Sequence, residues 1–314
     1  MVDDVSTSGA ASMRIAVPDL ISNSYFPALA AVELGCLRDE GVEATVELLF
    51  PVDAAYRALA AGEIDVVAGS AHSALAAFPD WQGVKLLCAQ GQGMYWFLVM
   101  RADLEPRRND LSIVRGRRIG AAPWVDLGLQ QLLADAGIDL AEVDIAPVPG
   151  AAGAGTNFGL TAARALADGA IDGFWANGMG AEVALRSGAG GLVLDVRRGD
   201  GPDSCFDYTF ASLAATDDFI AQDFDRARAL VRGVRSAHAL LREDPDRATA
   251  VGERLFPPEQ ASLIAELVRR DLPCYDTVIP NRAIAGMNRF ARERGLLTRD
   301  RSYEQIVATA IERR

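Results

Sequence analysis

Short apolar runs alternate along this chain with longer stretches whose apolar residues follow helical spacing. Residues 14–18 (RIAVP) carry the pattern of a buried strand. Residues 27–40 place apolar side chains at 29, 32, 34, 36 and 37, which predicts a helix that Gly41 stops. A strand over 42–50, a short helix over 53–61 and a strand over 64–68 follow. The succession then returns as strand 118–122, helix 126–136, strand 143–148, helix 159–168 and strand 171–176. Both units read βαβαβ. After each comes an edge strand (84–90, 192–196) and then a long strand expected to cross between halves (95–101, 207–213). From residue 218 the pattern is helical, with the longest run at 223–243 and others beginning at 245, 257, 281 and 302.

The two units also share residues. Arg57 to Asp65 (RALAAGEID) and Arg164 to Asp172 (RALADGAID) agree at seven of nine positions, 107 residues apart. Strands alternating with helices imply parallel sheets covered on both faces. Two similar units suggest two lobes facing a cleft; the alternative is one large continuous sheet. The expected division is 13–97 with 209–314 as lobe 1 and 98–208 as lobe 2. Residues 1–12 are expected to be a disordered leader. The two crossings would form a hinge, and the helical tail would pack on lobe 1.

The chain has 314 residues and a net charge of −12, which disfavours nucleic acid and anionic membrane surfaces as partners. Of 31 basic residues only Lys85 is lysine, so Schiff-base chemistry has one candidate group. The four cysteines lie far apart and outside any CxxC pattern, and no metal or other cofactor is expected. No apolar run is long enough to cross a membrane. The N-terminus shows neither a basic start nor an apolar core, so the chain as written is expected in the cytoplasm. The periplasm or extracellular space is the alternative if a native signal precedes it.

Ligands of parallel sheets bind beyond the carboxyl ends of the strands. A strand end followed by a helix start presents free N–H groups there, which suits an anion. The repeated corner is expected to build such donors in both lobes, with Asp65 and Asp172 structural. Gly69, Ser70 and His72 follow one strand end. Asn23, Ser24 and Tyr25 form the first loop, with polar and aromatic groups suited to a planar ligand. Gln92 and Tyr95 precede the first crossing, and Tyr208 sits on the return. Trp124, Trp175 and Asn177 stand at strand ends of the second unit. Asn157 closes a glycine-rich turn (residues 153–157). Each has a bland alternative as a cap or core residue. His238 reads as structural.

The segments FPALAAVELGCLRDEGVEATVELL, AYRALAAGEIDVVAG, LSIVRGRRIGA and LREDPDRA together resemble the SsuA/THI5/NMT1 group of type 2 periplasmic binding proteins over roughly residues 13–300. The resemblance implies an α/β, two-lobed type 2 periplasmic-binding-protein fold with a small organic ligand between the lobes. Known ligands of the group include sulfonates, carboxylates and pyrimidine precursors, and members usually feed ATP-driven importers through a permease. Cytoplasmic relatives include a desulfinase with a cysteine in the first loop and a decarboxylase. Here that loop reads Ser22 to Phe26 without cysteine. Neither the lysine-bound pyridoxal group nor the cysteine-rich iron motif of pyrimidine synthases is evident. The expectation is a protein that captures a small, anionic and partly aromatic molecule for import. The alternative is a cytoplasmic lyase or hydrolase using His72 and Ser24.

Overall fold

The computed structural model describes residues 12–151 and 156–312. Apart from Ser12, the expected disordered leader lies outside the described residues, as do Gly153 to Gly155.

Ten strands form: β1 (Met13–Val17), β2 (Ala44–Leu48), β3 (Val66–Ser70), β4 (Val84–Gly91), β5 (Phe97–Arg101), β6 (Arg118–Ala121), β7 (Asp144–Ala146), β8 (Gly173–Ala176), β9 (Gly190–Asp195) and β10 (Ala211–Thr216). They make two separate five-stranded sheets, ordered β2-β1-β3-β10-β4 and β7-β6-β8-β5-β9. The continuous-slab alternative is thereby excluded. In each sheet the repeated strands are parallel, and the strand arriving from the other unit, β10 or β5, runs antiparallel to its neighbours. The central strands are apolar throughout because helices cover both faces: Ile15, Val17, Val66 and Ala68 are fully buried.

Three details depart from the sequence reading. The helix expected over 27–40 splits into Phe26–Glu33 and Cys36–Asp39. The crossings are not long strands. They are the short segment 92–96 and the stretch 196–210 with its 3₁₀ turns, while β5 and β10 each lie wholly within one sheet.

The repeated corner, third, lies at the amino ends of β3 and β8, away from their carboxyl ends. Gly62 and Gly169 take matching left-handed turns (φ 72° and 71°), which favour glycine. Asp65 then accepts the backbone N–H of Arg14 at 2.7 Å, and Asp172 that of Arg118 at 3.0 Å. The Asp65 and Asp172 N–H groups return bonds to the Arg14 and Arg118 carbonyls at 3.0 and 2.9 Å. Each corner therefore fixes the start of one strand against its neighbour, and its donors do not face the cleft.

The tail contains the helices Phe224–Glu243, Arg247–Leu255, Pro258–Asp271 and Asn281–Glu293. Phe224–Glu243 packs on Phe26–Glu33 and Cys36–Asp39 in the first lobe. Two tail helices also reach the second lobe, through Glu266 with Arg186 (2.6 Å) and Arg289 with Asp135 (3.5 Å). No described helix is long and apolar enough to cross a membrane.

Candidate functional site

The carboxyl ends of β1, β6 and β8 converge on a cavity between the lobes, as parallel-sheet topology requires. Pro18, Asp19, Ser22, Tyr25, Phe50 and Val52 line it from the first lobe. Ala122, Val125, Phe158, Ala176 and Asn177 line it from the second, and Tyr95 and Trp96 form its floor on the first crossing. The cavity measures about 40 Å³ in water-centre volume, room for a few waters with the lobes as they stand. Phe50 and Phe158 stack across the lobes, centroids 5.8 Å apart and planes at 21°, and separate it from an outer groove that both rings also line.

Asp19 lies just beyond β1 and is buried. Its Oδ1 accepts the Ile21 N–H at 3.1 Å and its Oδ2 accepts Asn177 Nδ2–H at 2.7 Å. The Gly159 N–H, at the start of helix Phe158–Ala167, lies near the same carboxylate and pulls its pKa down. Glycine is required there by close approach: a Cβ on Gly159 would stand 2.9 Å from Asn177 Oδ1. A first-lobe carboxylate thus occupies the donor corner of the second lobe. Burial pushes the Asp19 carboxyl up to about 7, against the pull of these hydrogen bonds.

Tyr25 and Tyr95 share a 2.6 Å hydroxyl–hydroxyl bond, with rings edge to face. Burial holds both phenols above their ordinary range, so they stay neutral donors. The Arg197 guanidinium lies 5.4 Å from the Tyr95 ring centroid and does not line the cavity. It is held by Asp271 at 2.7 Å, both side chains being almost fully buried.

Of the residues expected at the site, Tyr25, Tyr95 and Asn177 line the cavity, and the others lie elsewhere. Asn23 donates to Asp271 (2.6 Å), and Ser24 accepts from Arg197 (3.3 Å), so both belong to the buried ion-pair cluster. Gly69 pairs with Ser212 inside the sheet. Ser70 bonds Ser73 through its hydroxyl (2.6 Å), and its carbonyl accepts from Tyr56.

His72 is buried, with Nδ1 2.9 Å from the Thr209 hydroxyl and Nε2 3.0 Å from the Trp124 carbonyl. Facing a carbonyl, Nε2 must carry the proton; this tautomer is assigned from its partners. Burial lowers its pKa to about 4, so the ring is neutral near pH 7. Both nitrogens are engaged, and the Nε2 bond to Trp124 spans the lobes.

Trp124 meets His72 across the lobes and adopts φ 69°, a conformation rare outside glycine. Trp175 is a fully buried strand residue packed on Trp96. Gln92 donates to the Val278 carbonyl, and Tyr208 donates to Asp135. Asn157 sits at the N-cap of helix Phe158–Ala167 without capping it.

Two first-lobe helix-start donors are also engaged. The segment after Ser70 is a 3₁₀ turn, Ala71–Ala76, whose Ala71 and His72 N–H groups go to the Phe210 carbonyl and the Thr209 hydroxyl. Of the backbone donors at the strand ends, those of Ile21, Ala71, His72 and Gly180 are taken by protein acceptors. Asp19, Phe50, Trp96 and Phe158 were not among the expected contacts. Asp19 carried a usable signal, since it directly follows the end of a repeated parallel strand. Among the described residues, no group of three or more His, Cys, Asp or Glu side chains is arranged to hold a metal ion.

The NMT1/THI5-like family model matches residues 22–248. No curated protein matches the chain. Among solved structures, it is similar to the alkanesulfonate-binding protein SsuA from Xanthomonas axonopodis pv. citri bound to MOPS (13% identity, TM-score 0.71, covering 96% of this chain and 99% of that one). It is similar to the periplasmic nitrate-binding protein NrtA from Synechocystis PCC 6803 (12%, TM-score 0.73, 96% and 87%). It is also similar to the desulfurization enzyme DSZB (16%, TM-score 0.64, 94% and 96%). At these identities the likeness establishes the two-lobed fold. With the match spanning well over half its length, the chain belongs to the NMT1/THI5-like family.

Proposed function

We propose that this protein captures a small organic molecule between its lobes and presents it to an ABC-type permease. The reading is carried by one observation: a cavity at the strand ends, lined from both lobes and floored by the crossing that joins them. The division at 13–97 with 209–314 and 98–208 goes with this reading, since the chain crosses near each boundary. The sulfonate- and nitrate-binding neighbours support capture for import, and the periplasmic nitrate-binding protein supports the periplasmic alternative for compartment.

The aromatic part of the ligand expectation is supported by Tyr25, Phe50, Tyr95, Trp96 and Phe158 around the cavity. The anionic part is opposed by Asp19, because none of the described lining residues is cationic. An anion beside an ionised Asp19 is disfavoured, so an anionic ligand would have to bind with Asp19 protonated.

The enzymatic alternative relied on His72 and Ser24. Neither lines the cavity, and both have structural hydrogen-bond partners.

Thermal-shift screening against small aromatic and heteroaromatic compounds, followed by calorimetry, tests the capture reading. A hit whose binding is abolished by Tyr95→Ala and which is recovered chemically unchanged supports it. A hit indifferent to Tyr95→Ala, or converted to product, refutes it.

A further inference from the structure

We propose that the cleft selects a small organic ammonium, a protonated amine on a flat or aromatic body, with Asp19 as its counter-charge. The inference deepens the capture reading and rests on it.

The charge inventory of the cavity points this way. Asp19 is its one carboxylate, and Lys, Arg and His are missing from the described lining. A carboxylate has about four acceptor positions. Hydrogen bonds from Ile21 N–H and Asn177 Nδ2–H take two of those of Asp19 and the Gly159 N–H lies near it, which leaves room for a ligand donor. These donors are neutral, and among the described residues no ion pair is formed by Asp19; the Tyr25 phenol lies beside it and Tyr95 beyond that. Arg197 does not supply the missing charge. It pairs with Asp271 behind the Tyr95 ring.

The rest of the wall suits a cation too. The Tyr25, Trp96, Phe50 and Phe158 rings offer π systems that attract an ammonium and penalise an anion. An anionic ligand would need donors, yet the Ile21, Ala71 and His72 N–H groups at the strand ends already serve Asp19, Phe210 and Thr209.

The test uses three probes of similar size: benzylammonium, benzyl alcohol and benzenesulfonate. Their affinities are measured by calorimetry at about pH 8, where Asp19 is ionised and the amine protonated. The wild type should bind benzylammonium at least about tenfold more tightly than either other probe. Asp19→Asn, which keeps the shape, should erase most of that preference. Benzenesulfonate binding as tightly as the amine, or amine binding unchanged in Asp19→Asn, overturns the proposal; so does failure of the amine to bind. The capture reading is judged separately, by whether any hit from the wider screen depends on Tyr95. A sulfonate that binds wild type and is lost in Tyr95→Ala keeps capture and removes the ammonium. If Asp19→Asn fails to fold, the ranking of the three probes on wild type still decides.

Discussion

Asn177 donates a 2.7 Å hydrogen bond to Asp19 across the two lobes, joining the end of β8 to the end of β1. The same amide accepts the Gly180 N–H at 3.1 Å and so caps helix Gly178–Arg186. One side chain therefore serves local helix geometry and the closed arrangement together.

Asn177→Ala removes both bonds and leaves Asp19 short of a donor. We expect a loss of about 1–3 kcal/mol in unfolding free energy. Amide exchange near Gly159 should quicken as the lobes separate more often. Urea titration and hydrogen exchange check this; an unchanged midpoint with unchanged exchange would refute the cross-lobe role.

The Tyr25–Tyr95 hydroxyl pair supports a double-mutant cycle. Each single change to Phe leaves a buried hydroxyl without its partner, at about 1–2 kcal/mol. The double variant should lose less than the sum, because neither hydroxyl is then orphaned. Strict additivity would mean that the two hydroxyls do not depend on one another.

Asp65→Ala and Asp172→Ala should each destabilise the protein by about 1–2 kcal/mol, because each leaves a strand-start N–H unpaired. Ligand affinity should stay within about twofold of wild type, the corners lying at the strand ends remote from the cavity. A large affinity loss in either variant would place the repeated corner back at the site.

Acid should weaken the fold through two histidines. His72 and His238 are each held to about 4 by burial, below the ordinary 6.5. The unfolded chain binds their protons first, so stability falls as pH drops from about 6.5 to 4. Asp19 acts oppositely. Its raised carboxyl, at about 7, lets the folded chain bind a proton the unfolded chain releases, which favours the fold on the acid side. Taken among these three groups, the two histidines outweigh Asp19 over this window. His238→Phe, which keeps the stack on Tyr275, should flatten the slope, and Asp19→Asn should steepen it. Parallel slopes in all three proteins would contradict these assignments.

Much of the fold was legible because it depends on local pattern. Runs such as RIAV and RIGA mark buried parallel strands, and the repeated Ile-Asp ending marks where each copy locks onto its neighbour. The split at Leu34-Gly35 was hidden because apolar spacing continues through it. The site was legible only in part, since its polar groups find partners far away in sequence. His72 looked available until Thr209 and Trp124 met its two nitrogens, 137 and 52 residues on. Asn23 and Ser24 looked like loop donors until Asp271 and Arg197 took them into a buried cluster. Phe158 stands just ahead of the expected helix 159–168, and only the packing of the lobes sets it against Phe50.

The most direct measurement is a crystal structure of the protein with a compound that raises its melting temperature. The account predicts electron density enclosed between Asp19, Tyr95 and Asn177, touching side chains of both lobes. Density at the outer groove beside Pro123 and Val148, or anywhere else that contacts a single lobe, would contradict it.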